Sequence, residues 1–320
     1  MGDDEPRRIV LESVTIEASI IPNMVAIEGR VLFFADAEFN AGEEITGTNR
    51  VATRIREIVR PGDNIVFLGD IFDLPNGSRD ETRIRQAWDA LLPFLQELEA
   101  SGVNVFLILG NHDGTHSVAS DVVGDYFGEL YGTPGELPAN FTLIDGNGAL
   151  ICMSGRNVDR LDAEYLRNEL ETLESMGITH VTIASHFPLD SIAGLQPNSG
   201  RIRSTIVSED GLLQILQNFQ NTLDITVVSG HQHVPYIGRY TGSGLNSLLA
   251  IMVPSIKRAY YYWGDSQRTE TGHVVLDSLE RNQHPTLVGV TNTPSSIPAE
   301  NGQLISITTR AERSKPQLVR

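Results

Sequence analysis

Four short polar clusters stand where apolar runs end: Gly69-Asp70, Gly110-Asn111-His112-Asp113, Ser185-His186 and Gly230-His231-Gln232-His233. The runs before them, such as Asn64-Ile-Val-Phe-Leu68 and Asp224-Ile-Thr-Val-Val-Ser229, read as buried strands. An α/β fold holds its strand ends rigidly side by side, so residues just past them gather in one place. Carboxylates, an amide and imidazoles gathered in this way make a cation site. His231 and His233 alternate along what reads as an extended segment, which aims both rings at one ion cluster.

Such a cluster suits one demanding reaction. Hydrolysing a phosphate ester near neutral pH requires a nucleophile from water, neutralisation of the phosphoryl oxygens and a proton for the leaving group. Two divalent ions about 3.5–4 Å apart supply the first two. A carboxylate bridging both ions is the simplest way to hold that spacing, and Asp70 is the natural candidate. His186, His231, His233 and Asn111 would complete the coordination without adding negative charge that repels the substrate.

Taken in order, Asp36-Ala-Glu38, Gly69-Asp70-Ile-Phe-Asp73, Gly110-Asn-His-Asp113, His186 and Gly230-His-Gln-His233 resemble the ordered blocks of the calcineurin-like metallophosphoesterases. The resemblance spans residues 31–235, and four of its five blocks are intact. It implies that Asp70 bridges the ions, that Asn111, His186 and His231 hold the second and that Asp36 and His233 hold the first. His112 resembles the family's proton donor to the leaving oxygen, and Asp113 would orient that imidazole and raise its pKa. The implied fold is a four-layer αββα sandwich of two mixed β-sheets flanked by helices. A looser likeness, around the hairpin at 141–153, the helix at 161–176 and the strand leading to His186, is to the cyclic-nucleotide phosphodiesterase-like branch. It implies a cyclic nucleotide or other small phosphodiester as substrate. A phosphomonoester or phosphoprotein is the alternative, and a non-catalytic metal-binding scaffold is the reading from another class.

The first block departs from the family's usual Asp-x-His, since its third position is Glu38. As an oxygen ligand, Glu38 would make the first site harder and more anionic, favouring Mn²⁺ or Mg²⁺, with Fe or Zn²⁺ as further candidates. Alternatively it points away and that site is weak or empty. Asp73 stands where purple acid phosphatases, a branch of the family, carry a tyrosine ligand, so this chain is not expected among them. Arg156 follows a strand and could bind substrate phosphate through its guanidinium, or form a surface ion pair.

The elements that must position these residues alternate through the first half: strand 31–36, helix 48–60, strand 64–70, helix 80–101 and strand 103–110. That order indicates parallel strands with crossover helices. Asp145-Gly-Asn-Gly148 marks a hairpin, followed by helices at 161–176 and 208–219 and strands at 179–185 and 224–229. Five short strand-like pieces follow His233, and residues 10–29 have room for a strand or two before the first block. Residues 1–309 are read as one domain, with the core motifs at 31–235, C-terminal strands at 236–309 and a flexible tail at 310–320. The net charge of −17 argues against gripping a phosphate backbone, so nucleic acid is not the expected partner. No run approaches the ~20 apolar residues of a membrane span, and the lone Cys152 permits no intrachain disulfide, which suits a reducing, cytoplasmic setting. Nothing in the sequence bears on oligomeric state.

Overall fold

Strand β1 (Met24–Ala26) comes first, and β2 (Val31–Phe34), α1 (Arg50–Ile58), β3 (Asn64–Leu68), α2 (Glu81–Ala100) and β4 (Asn104–Ile108) then alternate as the sequence pattern requires. The computed structural model describes residues 24–40, 45, 49–114, 122, 140–154, 163–187, 212–231, 233, 236–242, 245–257, 259–263, 266–279 and 286–291. Both early helices start on side-chain caps: Asn49 accepts from the amides of Val51 and Ala52, and Asp80 accepts from that of Arg83. Buried Ile84, Trp88, Leu91, Leu95 and Leu98 form the stripe that seats α2 on the sheet.

The hairpin forms β5 (Asn140–Asp145) and β6 (Gly148–Met153). Helix α3 (Ala163–Ser175), β7 (His180–Ser185), α4 (Leu212–Phe219) and β8 (Asp224–Ser229) follow, and then five strands: β9 (Tyr236–Gly242), β10 (Leu245–Met252), β11 (Ala259–Trp263), β12 (Ser266–Leu276) and β13 (Thr286–Thr291). One sheet has seven strands in the order β1-β5-β6-β7-β8-β10-β9, and the other has six, β11-β12-β2-β3-β4 with β13 on β12. Both are mixed: β9 runs antiparallel to β10, and β12 runs antiparallel to β2. The C-terminal strands therefore complete both sheets. The aromatic run Tyr260–Trp263 lies in β11.

Three apolar clusters make this a four-layer αββα sandwich. Val31, Phe33, Val66, Leu68 and Ile108 of the six-stranded sheet face Leu143, Leu150, Cys152, Val228 and Ile251 of the other across the middle layer. Leu32, Phe34, Ile65 and Phe67, alternating with these, turn outward against α1 and α2, and α3 and α4 cover the far sheet. Strands buried on both faces explain why the sequence shows continuous apolar runs rather than alternation. No helix among the described residues is long and apolar enough to cross a membrane. The sequence reads His116 as a surface position, His284 as structural, 190–205 as a loop beside His186 and 303–309 as the last strand-like piece; these, with Arg156 and the tail at 310–320, lie outside the described residues.

Candidate metal centre

Donors from both sheets meet at one end of the sandwich. Asp36 follows β2 and Asp70 follows β3, Asn111 to Asp113 follow β4, and His186 and His231 follow β7 and β8. The approach is close because glycines stand at the crossings. A Cβ on Gly69, whose φ is +78°, would lie 2.6 Å from His186 Nδ1. One on Gly110 would collide with the backbone nitrogen and Oδ1 of Asp70.

Two donor groups result, and they share one residue. Asp70, His186 and His231 bring ligand atoms within 4.8 Å of one another, and so do Asp36, Asp70 and His233. In the former, His186 Nε2 lies 3.3 Å from Asp70 Oδ2, 3.1 Å from His231 Nδ1 and 3.1 Å from Asn111 Oδ1. In the latter, His233 Nε2 lies 3.2 Å from Asp36 Oδ1. His186 donates through Nδ1 to the Leu68 carbonyl at 2.7 Å; that oxygen can only accept, so Nε2 is the nitrogen left to ligate. The ring of Phe187 packs edge-on against His186 at 4.7 Å and tilted against His231 at 4.8 Å, so both imidazoles lean on it. Buried oxygens and imidazoles around a common carboxylate form a donor set that fits divalent cations.

The backbone is strained at these positions. Every non-glycine residue with positive φ among the described residues is one of the expected ligands: Asp36 (50°), Glu38 (45°), Asp70 (48°), His231 (69°) and His233 (57°). His231 and His233 are therefore each left-handed, where the sequence pattern reads extended backbone. These left-handed residues instead deliver the two rings to different donor groups.

Charge follows geometry. Burial pushes Asp70 up, but the positive His186 beside it and the His112 amide override this and hold the carboxyl well below its usual range. Burial pushes His186 down, yet Asp70 opposes it and the pKa settles at about 9. His233 likewise rises to about 9, with Asp36 outweighing burial, while burial and the charge of His186 press His231 down to about 3. The carboxylates thus draw positive charge to two points, one in each donor group.

Two expectations need correction or refinement. Asp113 does not orient His112: its carboxylate accepts from the amides of Ile71 (2.8 Å), Phe72 (3.1 Å) and Gly110 (2.7 Å), bracing the loops after β3 and β4. His112 Nδ1 bonds instead to the Leu74 carbonyl at 2.6 Å, and its backbone amide donates to Asp70 Oδ1 at 2.7 Å. The carboxyl of Asp113 is raised by burial first and by the nearby Asp70 second, so it does not serve as a simple counter-charge for the ring. Glu38 stands at the margin of the first donor group, with Oε1 3.7 Å from His233 Nε2 and Oε2 3.5 Å from Lys257 Nζ. Burial raises its carboxyl, and His233 and Lys257 pull the other way. Lys257, Ser255 and Phe187 were not foreseen. Ser255 Oγ lies 2.7 Å from the Asp36 carbonyl, and Ser255 pairs with Ala35 in a parallel bridge.

Residues 29–235 match the family model described as calcineurin-like phosphoesterase. The chain belongs to this family. A comparison with curated proteins finds no match. Among solved structures, this calcineurin-like phosphoesterase is similar to GAP50, the anchor in the inner membrane complex of Plasmodium, at 14% identity over 88% of this chain and 89% of that one, with a TM-score of 0.45. It is also similar to PhoD, at 12% identity over 82% and 68% with a TM-score of 0.47. A third is the 5'-nucleotidase from Candida albicans, at 12% identity over 83% and 52% with a TM-score of 0.42.

Proposed function

We propose that this calcineurin-like phosphoesterase hydrolyses phosphate esters at a dinuclear centre, with a small phosphodiester such as a cyclic nucleotide as its substrate. The observation that carries the reading is the pair of donor groups sharing Asp70. Asp36, Asp70 and His233 would hold the first ion, and Asp70, Asn111, His186 and His231 would hold the second. When bound, the two divalent ions, Mn²⁺ by preference and Mg²⁺, Fe or Zn²⁺ otherwise, neutralise the phosphoryl oxygens and activate water.

The chain's own residues supply the rest. His112 is held twice, by its ring on Leu74 and its amide on Asp70, so the imidazole is fixed relative to the bridging carboxylate. Because Nδ1–H is committed to Leu74, Nε2 is the atom that gives a proton to the departing oxygen. Asp113 is a positioning residue for the two loops rather than for the ring. The strongly acidic chain favours a small ester over a nucleic acid, and the buried, unpaired Cys152 fits a reducing cytoplasm.

With added Mn²⁺, the protein is expected to release nitrophenol from bis-nitrophenyl phosphate faster than from mono-nitrophenyl phosphate, and to open a cyclic nucleotide. Preference for the monoester would move the assignment to a phosphomonoesterase. Inactivity on both, with two ions bound, would leave a scaffold.

A further inference from the structure

Lys257 reaches the margin of the first donor group from a rigid support. It follows the isolated parallel bridge between Ser255 and Ala35, Ile256 donates to the Ala35 carbonyl at 3.0 Å, and Ser255 Oγ donates to the Lys257 carbonyl at 2.6 Å. From there Nζ donates to the Glu38 carbonyl at 2.9 Å and stands 3.5 Å from Glu38 Oε2 and 3.7 Å from Asp73 Oδ2. An ammonium is a compact donor with no acceptor, so it satisfies an oxygen that a cation would otherwise take. Glu38 is also the residue that departs from the family's usual histidine. The substitution and the lysine that answers it occupy the same corner.

We propose that Lys257 holds Glu38 as an ion pair outside the first cation's coordination sphere, leaving Asp36, Asp70 and His233 as the side chains at that site among the described residues. The second site, with four side chains and no adjacent ammonium among the described residues, binds first and tightly. The first site fills last, and the concentration of free divalent ion sets how much of the protein carries both. This rests on the dinuclear reading above and specifies how its two sites differ.

Mn²⁺ titration of the full-length, chelator-stripped protein by calorimetry, with bound metal counted by mass spectrometry, tests it without reference to turnover. Two steps are expected, the weaker by about ten-fold or more, and Lys257→Met should tighten the weaker step on the order of ten-fold while leaving the tight step within about two-fold. Adding Glu38→Gln to Lys257→Met should abolish that gain, because the gain comes from the released carboxylate. Lys257→Gln serves as a second neutral variant, with circular dichroism and the tight step as controls for folding. An unchanged weak step in both lysine variants, a gain that survives Glu38→Gln, or loss of one ion in Glu38→Gln alone would each overturn the proposal while leaving the dinuclear centre standing. Failure of the parent protein to bind any Mn²⁺ would remove both.

Discussion

Asp70→Asn is the sharpest perturbation of the shared carboxylate. Asparagine is isosteric and adopts the left-handed region readily, so the φ of 48° at this position is not an obstacle. Its side-chain oxygen can still accept the His112 amide that now lies 2.7 Å from Oδ1. What is lost is one negative charge, 2% exposed, that belongs to both donor groups. Removing one partner of a buried charge pair costs about 3–5 kcal/mol, which is roughly a hundred- to several thousand-fold in Kd for each ion. The variant, dialysed against micromolar Mn²⁺, should keep its far-ultraviolet dichroism and hold less than one ion per chain, with hydrolysis reduced in proportion. An Asp70→Asn protein that is folded and still carries two ions would refute the bridging geometry.

His112→Gln should lower kcat on the order of 10²–10⁴-fold while the bound metal is unchanged, which separates proton donation from coordination. Asp113→Ala should act on stability rather than on proton transfer: it strips the acceptor from three amides at 2.7–3.1 Å, each worth about 1–3 kcal/mol when left buried and unpaired, so the melting temperature should fall sharply. Gly110→Ala places a methyl against Asp70 and should both destabilise by about 1–3 kcal/mol and reduce metal content, measured by denaturation and mass spectrometry. In chelated protein, His186 and His233 are raised from 6.5 to about 9, so their stabilisation is complete below pH 6.5 and is lost as pH rises through 9. His231, lowered to about 3, has the opposite sign and withdraws stability as pH falls below 6.5. Melting temperatures in chelator should therefore peak near pH 6.5, and a profile flat from pH 6 to 9 would refute the two pairings.

The fold was legible because its strands are buried on both faces. Runs such as Ile65-Val-Phe-Leu68 lack alternation and are too short for an ordinary helix, and the polar residues after them then share an end of the sheet. The donors were legible for the same reason, since Asp36, Asp70, Asn111 and His186 each stand within three residues of a strand. Direction was not. Adjacency of His112 and Asp113 suggested a pair, but the turn sends the carboxylate back to the amides of Gly110, Ile71 and Phe72. Lys257 and Ser255 were hidden by distance, lying 219 positions beyond Glu38 and Asp36 respectively. The parallel pairing of β10 with β8, the Val253 amide on the Ser229 carbonyl and the bridge at Ala35 bring Ser255 and Lys257 beside the first block.

Left-handed backbone ties the fold to the chemistry. Each such residue costs roughly 1–2 kcal/mol relative to a relaxed one, so five together approach the net stability of a whole domain. They persist because neighbouring bonds determine them from both sides. Asp36 donates its amide to Gly69, Glu38 to Asp70 and Phe39 to Ile71, so the loops after β2 and β3 run on in register beyond the sheet. The Asp36 carboxylate accepts the His231 amide at 3.1 Å and locks the loop after β8 to them. Strain borne by the folded chain in this way is not incurred again when a cation arrives. The donors already converge, so the binding energy of a cation would go into coordination rather than into bending the backbone.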